Sequence, residues 1–244
     1  MASRSLRYSV AMCGRFTHFL TWREIVALYR ITEPSAENAP NLQPRYNMAP
    51  TQEAPVVRHN PETGGRSLDL LRWGLIPHWA KDAMIGNKLI NARAEGIDTK
   101  PSFRSAFAKR RCLIPTSGFY EWKREGTKKQ PYAIALKGGE PMSFAGLWEN
   151  WKTPEGEWLR TFTIITTEAN EFLAPIHNRM PVILHPTAHT LWLGETPAKP
   201  ETLKELLKPY PADQVEAWPV STRVNNVRNE QADLWDRLEP RNSA

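Results

Sequence analysis

The stretch Cys112-Leu-Ile-Pro-Thr-Ser-Gly-Phe-Tyr-Glu-Trp-Lys123 reads as two short strands, 112–115 and 118–123, rich in aromatic and branched residues. Working outward, residues 132–137, 142–148 and 159–167 have the same character. Polar turns at Glu125-Gly126 and Glu155-Gly156 lie between some of them. Toward the N-terminus, Thr21-Trp-Arg-Glu24 has capping-box spacing, and Ile25, Leu28 and Tyr29 follow at helical intervals, which predicts a helix over 22–30. Pro101, Phe103, Ala106 and Phe107 suggest a second short helix over 101–110. Further short helices are expected at 168–174, 187–193 and 200–208. Residues 33–55, rich in Pro and Asn, read as a loop centred on Arg45-Tyr-Asn-Met-Ala-Pro50. No internal repeat, low-complexity tract or long linker divides the chain, so one α+β domain is expected.

Composition narrows the function. The 244 residues are 41% hydrophobic, enough for a substantial core, and 21 Pro argue against long helices. A net charge of +6 suits a polyanionic partner or simply a basic soluble protein. Two cysteines, Cys13 and Cys112, give no disulfide framework and no zinc-ligand pair, which points to a reducing, intracellular compartment. No apolar run of about 18 residues is present, so no spanning helix and no membrane partner are expected. A phosphate-binding glycine loop, a His-Glu-x-x-His pair and a serine nucleophile elbow are all missing. No metal and no cofactor are therefore expected.

What remains is a set of polar residues inside apolar segments. Strand alternation puts Phe119 and Glu121 on one face, with Tyr120 and Trp122 on the other. A carboxylate among aromatics is a candidate general acid–base with a raised pKa; the alternative is an ordinary salt bridge to Lys123 or Arg124. His177 sits in Pro175-Ile-His-Asn-Arg-Met-Pro181, where two prolines restrict the backbone, as a proton carrier or as a structural hydrogen-bonding residue. Asn91 follows two apolar residues with Arg93 on the same strand face, and an amide capping a turn is its bland reading. Trp73 and Trp79 flank a Gly/Pro turn. Aromatics near Arg15, Arg93 and Arg179 would suit single-stranded nucleic acid, although most of the ten Trp are expected in the core.

Cys13-Gly-Arg-Phe16 follows Met12 directly. If the chain began at Cys13, its α-amine and thiol would sit on adjacent carbons, with ordinary pKa values of roughly 8 and about 8.5. Such a pair condenses with an aldehyde to an imine and then closes a thiazolidine ring. With eleven residues ahead of Met12, the Cys13 nitrogen is an amide and cannot react in this way.

Together these blocks resemble the SOS response-associated peptidase (SRAP) family. The resemblance runs from Met12 to about Leu238 through residues 13–16, 45–50, 73–77, 90–95, 117–122 and 176–181, closing with 219–221 and 224–229. It implies a single SRAP domain over 12–238, with a mostly antiparallel, barrel-like sheet core and short flanking helices. Residues 1–11 would be a disordered or untranslated leader, and 239–244 a tail. It implies a monomeric abasic-site sensor, cytoplasmic or nucleoid-associated in a bacterium, whose partner is single-stranded DNA containing abasic sites. Family members link covalently to such sites and self-process to expose the cysteine amine.

Carried over by residue, Cys13 would be the nucleophile, Glu121 would assist sugar opening and imine formation, and Asn91 would position the amine or sugar. His177 would shuttle protons to the sugar hydroxyl and help reverse the link. Arg15, Arg93 and Arg179 would bind phosphates, and Pro50, Trp73 and Trp122 would pack on bases or the strand. The departure is the leader: translation starts at Met12, the leader is cleaved, or the covalent reaction has been lost. The small cysteine side chain permits Met removal, which favours the first. Two other functions compete: a thiol peptidase using Cys13 and His177 with Glu121 or Asn91, and a non-covalent reader of single-stranded or modified DNA.

Overall fold

The computed structural model describes residues 13–34 and 39–239. The expected leader, 1–11, and residues 240–244 of the tail lie outside the described residues. In chain order the elements are β1 (Phe16–His18), α1 (Trp22–Tyr29), β2 (Arg45–Met48), β3 (Glu53–His59), β4 (Arg66–Trp73) and β5 (Asn91–Arg93). Then follow α2 (Arg104–Lys109), β6 (Arg111–Thr116), β7 (Gly118–Glu125), β8 (Lys128–Leu136), β9 (Met142–Lys152) and β10 (Trp158–Glu168). The chain continues through β11 (Arg179–Pro181), α3 (His189–Leu193), α4 (Pro200–Glu205) and β12 (Val215–Pro219).

Five strands close on themselves. β10 pairs in parallel with β4, β4 with β3, β3 with β6, β6 with β9, and β9 pairs back to β10. A closed ring leaves no free edge within it. Alternating residues from all five strands (Val56, Leu71, Ile114, Phe144 and Phe162) form one buried cluster inside the ring. The opposite faces, carrying Val57, Leu68, Leu113 and Leu147, pack with Ile25, Phe107 and Trp192 of the helices. A second sheet, ordered β12-β8-β7-β1-β2, continues from the ring through the β6–β7 junction. This is the mixed α+β, barrel-like architecture expected from the sequence.

Local chemistry explains most elements. Thr21 accepts from Glu24 N–H while the Glu24 carboxylate accepts from Thr21 N–H, so the capping box that opens α1 is complete. The β7–β8 and β9–β10 hairpins turn at Gly126 (φ 62°) and Gly156 (φ 95°). Cys112 is buried, and a Cβ on Gly146 would come 3.0 Å from its Sγ, so this thiol fills a tight spot between β6 and β9. Among the described residues no helix is long and apolar enough to cross a membrane.

Two expectations are corrected. The 33–55 segment is not all loop: it holds β2 and the start of β3. β2 is made a strand by pairing with β1, in which Phe16 faces Met48, a partner distant in sequence. The helix expected at 168–174 does not form: Glu168 ends β10 and residues 171–176 form turns. There the Asn170 side chain accepts from Leu173 N–H, closing a local turn just before Pro175.

The Trp73-Gly-Leu-Ile-Pro77 motif anchors the loop that leads into β5. Gly74 has φ 118°, and an added Cβ would sit 2.7 Å from the carbonyl oxygen of Gly86; Gly86 faces the Gly74 carbonyl equally closely. Only glycine tolerates both the backbone angle and the contact. Gly74→Ala should lower unfolding free energy by about 1–3 kcal/mol in urea denaturation; a loss below about 0.5 kcal/mol, the range of an ordinary surface change, would contradict this packing.

Candidate active site

Strand register brings Cys13 to Glu121. β1 runs antiparallel to β7, with Phe16 opposite Phe119 and Tyr120 N–H bonded to the Arg15 carbonyl at 3.0 Å. Continuing that ladder carries the chain upstream of β1 across Glu121. Cys13, at φ 34°, turns its backbone N–H onto Glu121 Oε1 at 2.7 Å. Positive φ is costly for a residue with a Cβ, so this turn is held by its surroundings. Both residues are nearly inaccessible, at 1% and 2% exposure.

β10 delivers the other two groups. Thr166 pairs with Arg93 of β5 on one side and its neighbour Thr167 with Met180 of β11 on the other. Asn91, the first residue of β5, donates from Nδ2 to the Cys13 carbonyl at 3.4 Å. His177, two residues before β11, holds Nδ1 3.9 Å from Glu121 Oε1. The same Nδ1 lies 3.1 Å from Arg179 N and 3.2 Å from Arg179 O, so either ring tautomer finds a backbone partner. Cys13, Asn91, Glu121 and His177 thus share one site, despite their separation in sequence.

A cavity of about 330 Å³ opens beside this cluster, lined by Arg15, Pro50, Glu121, Trp122, Lys129 and His177 among others. Its size suits one small organic group. Trp122 forms part of the wall, held by Nε1–H donating to Asn225 Oδ1 at 2.7 Å, with the Arg15 guanidinium 6.0 Å from its ring. Arg15 in turn donates to Asn47 Oδ1 and the Val224 carbonyl. Buried Asn47 donates from Nδ2 to the carbonyls of Val224, Asn226 and Asn229. Asn47 therefore ties the closing segment to the rim. It lies inside the Arg45–Pro50 block but was not singled out from the sequence. Nor was Lys129, whose place in a polar Lys-Lys turn looks like an ordinary solvated charge.

Two expected DNA contacts are placed differently. Trp73 is fully buried, 5.0 Å from the Phe16 ring and 6.2 Å from Phe162, and donates from Nε1 to the Ile90 carbonyl at 2.8 Å. It supports the loop leading to Asn91 and presents no face to a base. Arg179 is 8% exposed and forks onto Glu95 at 2.6 and 2.9 Å, with a third bond to the Thr166 carbonyl. A phosphate reaching it would have to displace Glu95. Arg93, by contrast, is exposed, and Pro50 and Trp122 reach the cavity.

Burial sets the protonation states. It raises the Glu121 carboxyl to about 8, against which the Cys13 and Trp122 N–H bonds pull only partly downward. Burial, then the neighbouring Glu121 charge, push the Cys13 thiol well above its ordinary value. Burial lowers His177, and the Arg179 and Lys129 charges add to that. Near neutral pH the site therefore holds a largely protonated carboxyl, a neutral imidazole and a thiol rather than a thiolate.

Because its carboxyl binds a proton more tightly folded than unfolded, Glu121 contributes stability that is full below about 4.5 and lost as pH rises through about 8. Relative to Glu121→Gln, the wild type should lose stability across that window, at up to about 1.4 kcal/mol per pH unit, in denaturation series at matched pH. Parallel curves for the two proteins would contradict the raised pKa.

Comparison with known proteins agrees with this architecture. The family model described as SOS response associated peptidase (SRAP) matches residues 12–227. The abasic site processing protein YoqW of Bacillus subtilis (strain 168) is 46% identical over 224 residues, 91% of this chain and 98% of its own. The abasic site processing protein HMCES of Xenopus tropicalis is 34% identical over 218 residues, covering 77% of this chain and 64% of its own. A crystal structure of a protein from Bacteroides thetaiotaomicron superposes with a TM-score of 0.82 at 28% identity, over 93% of this chain and all of that one. By the family match and these relatives, the chain belongs to the SRAP family.

Proposed function

We propose that this protein processes abasic sites in single-stranded DNA by covalent capture at Cys13, after hydrolysis of the Met12–Cys13 peptide bond frees the α-amine. The observation that carries the reading is the 2.7 Å contact between the Cys13 nitrogen and a buried, proton-holding Glu121. Relatives named as abasic site processing proteins, one of them 46% identical, support the choice of substrate.

The chemistry follows from the atoms in place. An abasic sugar is mostly a closed hemiacetal, so opening it requires a proton on the ring oxygen and removal of one from the hydroxyl. Glu121 and His177, 3.9 Å apart, are a proton-holding and a proton-accepting group side by side. The amine adds to the released aldehyde, and the carbinolamine hydroxyl leaves as water after protonation by Glu121, giving a protonated imine and an ionised Glu121. The Cys13 sulfur then bonds to the imine carbon, the ring nitrogen becomes a neutral amine that keeps its hydrogen, and the thiol proton leaves. Because burial disfavours the thiolate, this proton must pass through a neighbouring base, and ionised Glu121 is the one beside it. Ring closure removes the imine that would otherwise permit β-elimination and strand cleavage. Asn91, on the Cys13 carbonyl, fixes the direction of the amine.

The test is a denaturing gel of the chain beginning at Cys13 with abasic single-stranded DNA. Wild type should give a heat-stable shifted band. Cys13→Ser, which keeps the amine, should lose that band and give only an adduct trapped by borohydride. Glu121→Gln should slow band formation by about 10²–10⁴-fold, the usual worth of a positioned acid–base group. A heat-stable band from Cys13→Ser at the wild-type rate would defeat the thiazolidine chemistry.

A further inference from the structure

The cavity beside Cys13 contains a positive charge that the fold itself does not use. Of the two cations lining it, Arg15 is committed to Asn47 and to the carbonyls of Val224 and Asn225. The Lys129 side chain is exposed and makes no hydrogen bond or ion pair among the described residues. Arg179 is held by Glu95, and Lys123 lies 3.4 Å from Glu125. Lys129 stands in β8 opposite Arg124, while Trp122 faces Pro131, so Lys129 and Trp122 share a face of the β7–β8 hairpin two positions apart. Diagonal positions at this spacing lie about 7–8 Å apart at the backbone, within reach of long side chains. A flat ring and an unpaired ammonium side by side on one wall form a stacking platform with an anion contact.

We propose that Lys129 is a phosphate contact of this cleft, binding the DNA phosphate adjacent to the sugar that Cys13 attacks while Trp122 takes the neighbouring base. The assignment rests on the abasic-DNA reading above. It gives Lys129 a second effect, since its charge falls on His177, which is also faced by Glu121 and Arg179. Removing the ammonium takes away one of the positive charges that disfavour imidazolium. Arg15, already satisfied, keeps the Trp122 wall in place instead of serving the phosphate.

The experiment uses single-stranded DNA carrying a tetrahydrofuran abasic analogue, which has no aldehyde and so reports binding alone. The slope of log K against log salt should fall by about 0.7 in Lys129→Gln, one phosphate contact on a single strand, and Lys129→Arg should restore it. NMR titration of His177 in the DNA-free protein should show its pKa rising in Lys129→Gln and remaining depressed in Lys129→Arg. An unchanged salt slope in Lys129→Gln overturns the phosphate contact. A fixed His177 pKa overturns its placement beside the reacting group. Failure of the wild type to bind this DNA at all removes the abasic-DNA reading and the phosphate assignment with it, a result distinct from a variant that binds like wild type.

Discussion

The hydrogen bond from the Cys13 nitrogen to Glu121 Oε1 anchors the candidate site, and both of its partners are buried. In water such a bond would be one of many and the carboxylate would be ionised. Burial makes ionisation costly and leaves Glu121 able to hold and release a proton near neutral pH. The same burial keeps the Cys13 sulfur as a thiol, so the protonation states of both groups have one main cause.

The scaffold is arranged around that contact. The barrel core reaches the site directly: Cys13 and Phe16 belong to the same buried cluster as Trp73, Phe144 and Phe162. β10 holds β5 and β11 on opposite sides, which sets the spacing between Asn91 and His177. The closing segment, tied down by Asn47 and Arg15, props Trp122 against the cavity. Gly74 and Asn47, both far from the sulfur, thus lie in segments that support the candidate site.

Much of this was legible in the residues. The Thr21–Glu24 capping box, the glycine turns at 126 and 156, and the alternation that separates Glu121 from Trp122 are local signals, and local signals survive in sequence. What was not legible depends on distant partners. β2 is a strand only because β1 lies beside it. Trp73 is indistinguishable in sequence from a surface tryptophan until Phe16 and Phe162 close over it. Arg179 reads as a free cation until Glu95, far earlier in the chain, neutralises it. Lys129 has no local signal at all, since only the fold sets a lysine of a polar turn on one cavity wall with His177 and Trp122.

The most direct measurement is tandem mass spectrometry of the adduct formed between the chain beginning at Cys13 and abasic single-stranded DNA, without reductant and after nuclease and protease digestion. The account predicts the sugar remnant on the N-terminal peptide, with one water lost on linkage and the Cys13 thiol unavailable to iodoacetamide, while Cys112 is alkylated once the protein is unfolded. A remnant on a lysine, or an adduct on Cys13 whose thiol still alkylates, would contradict it.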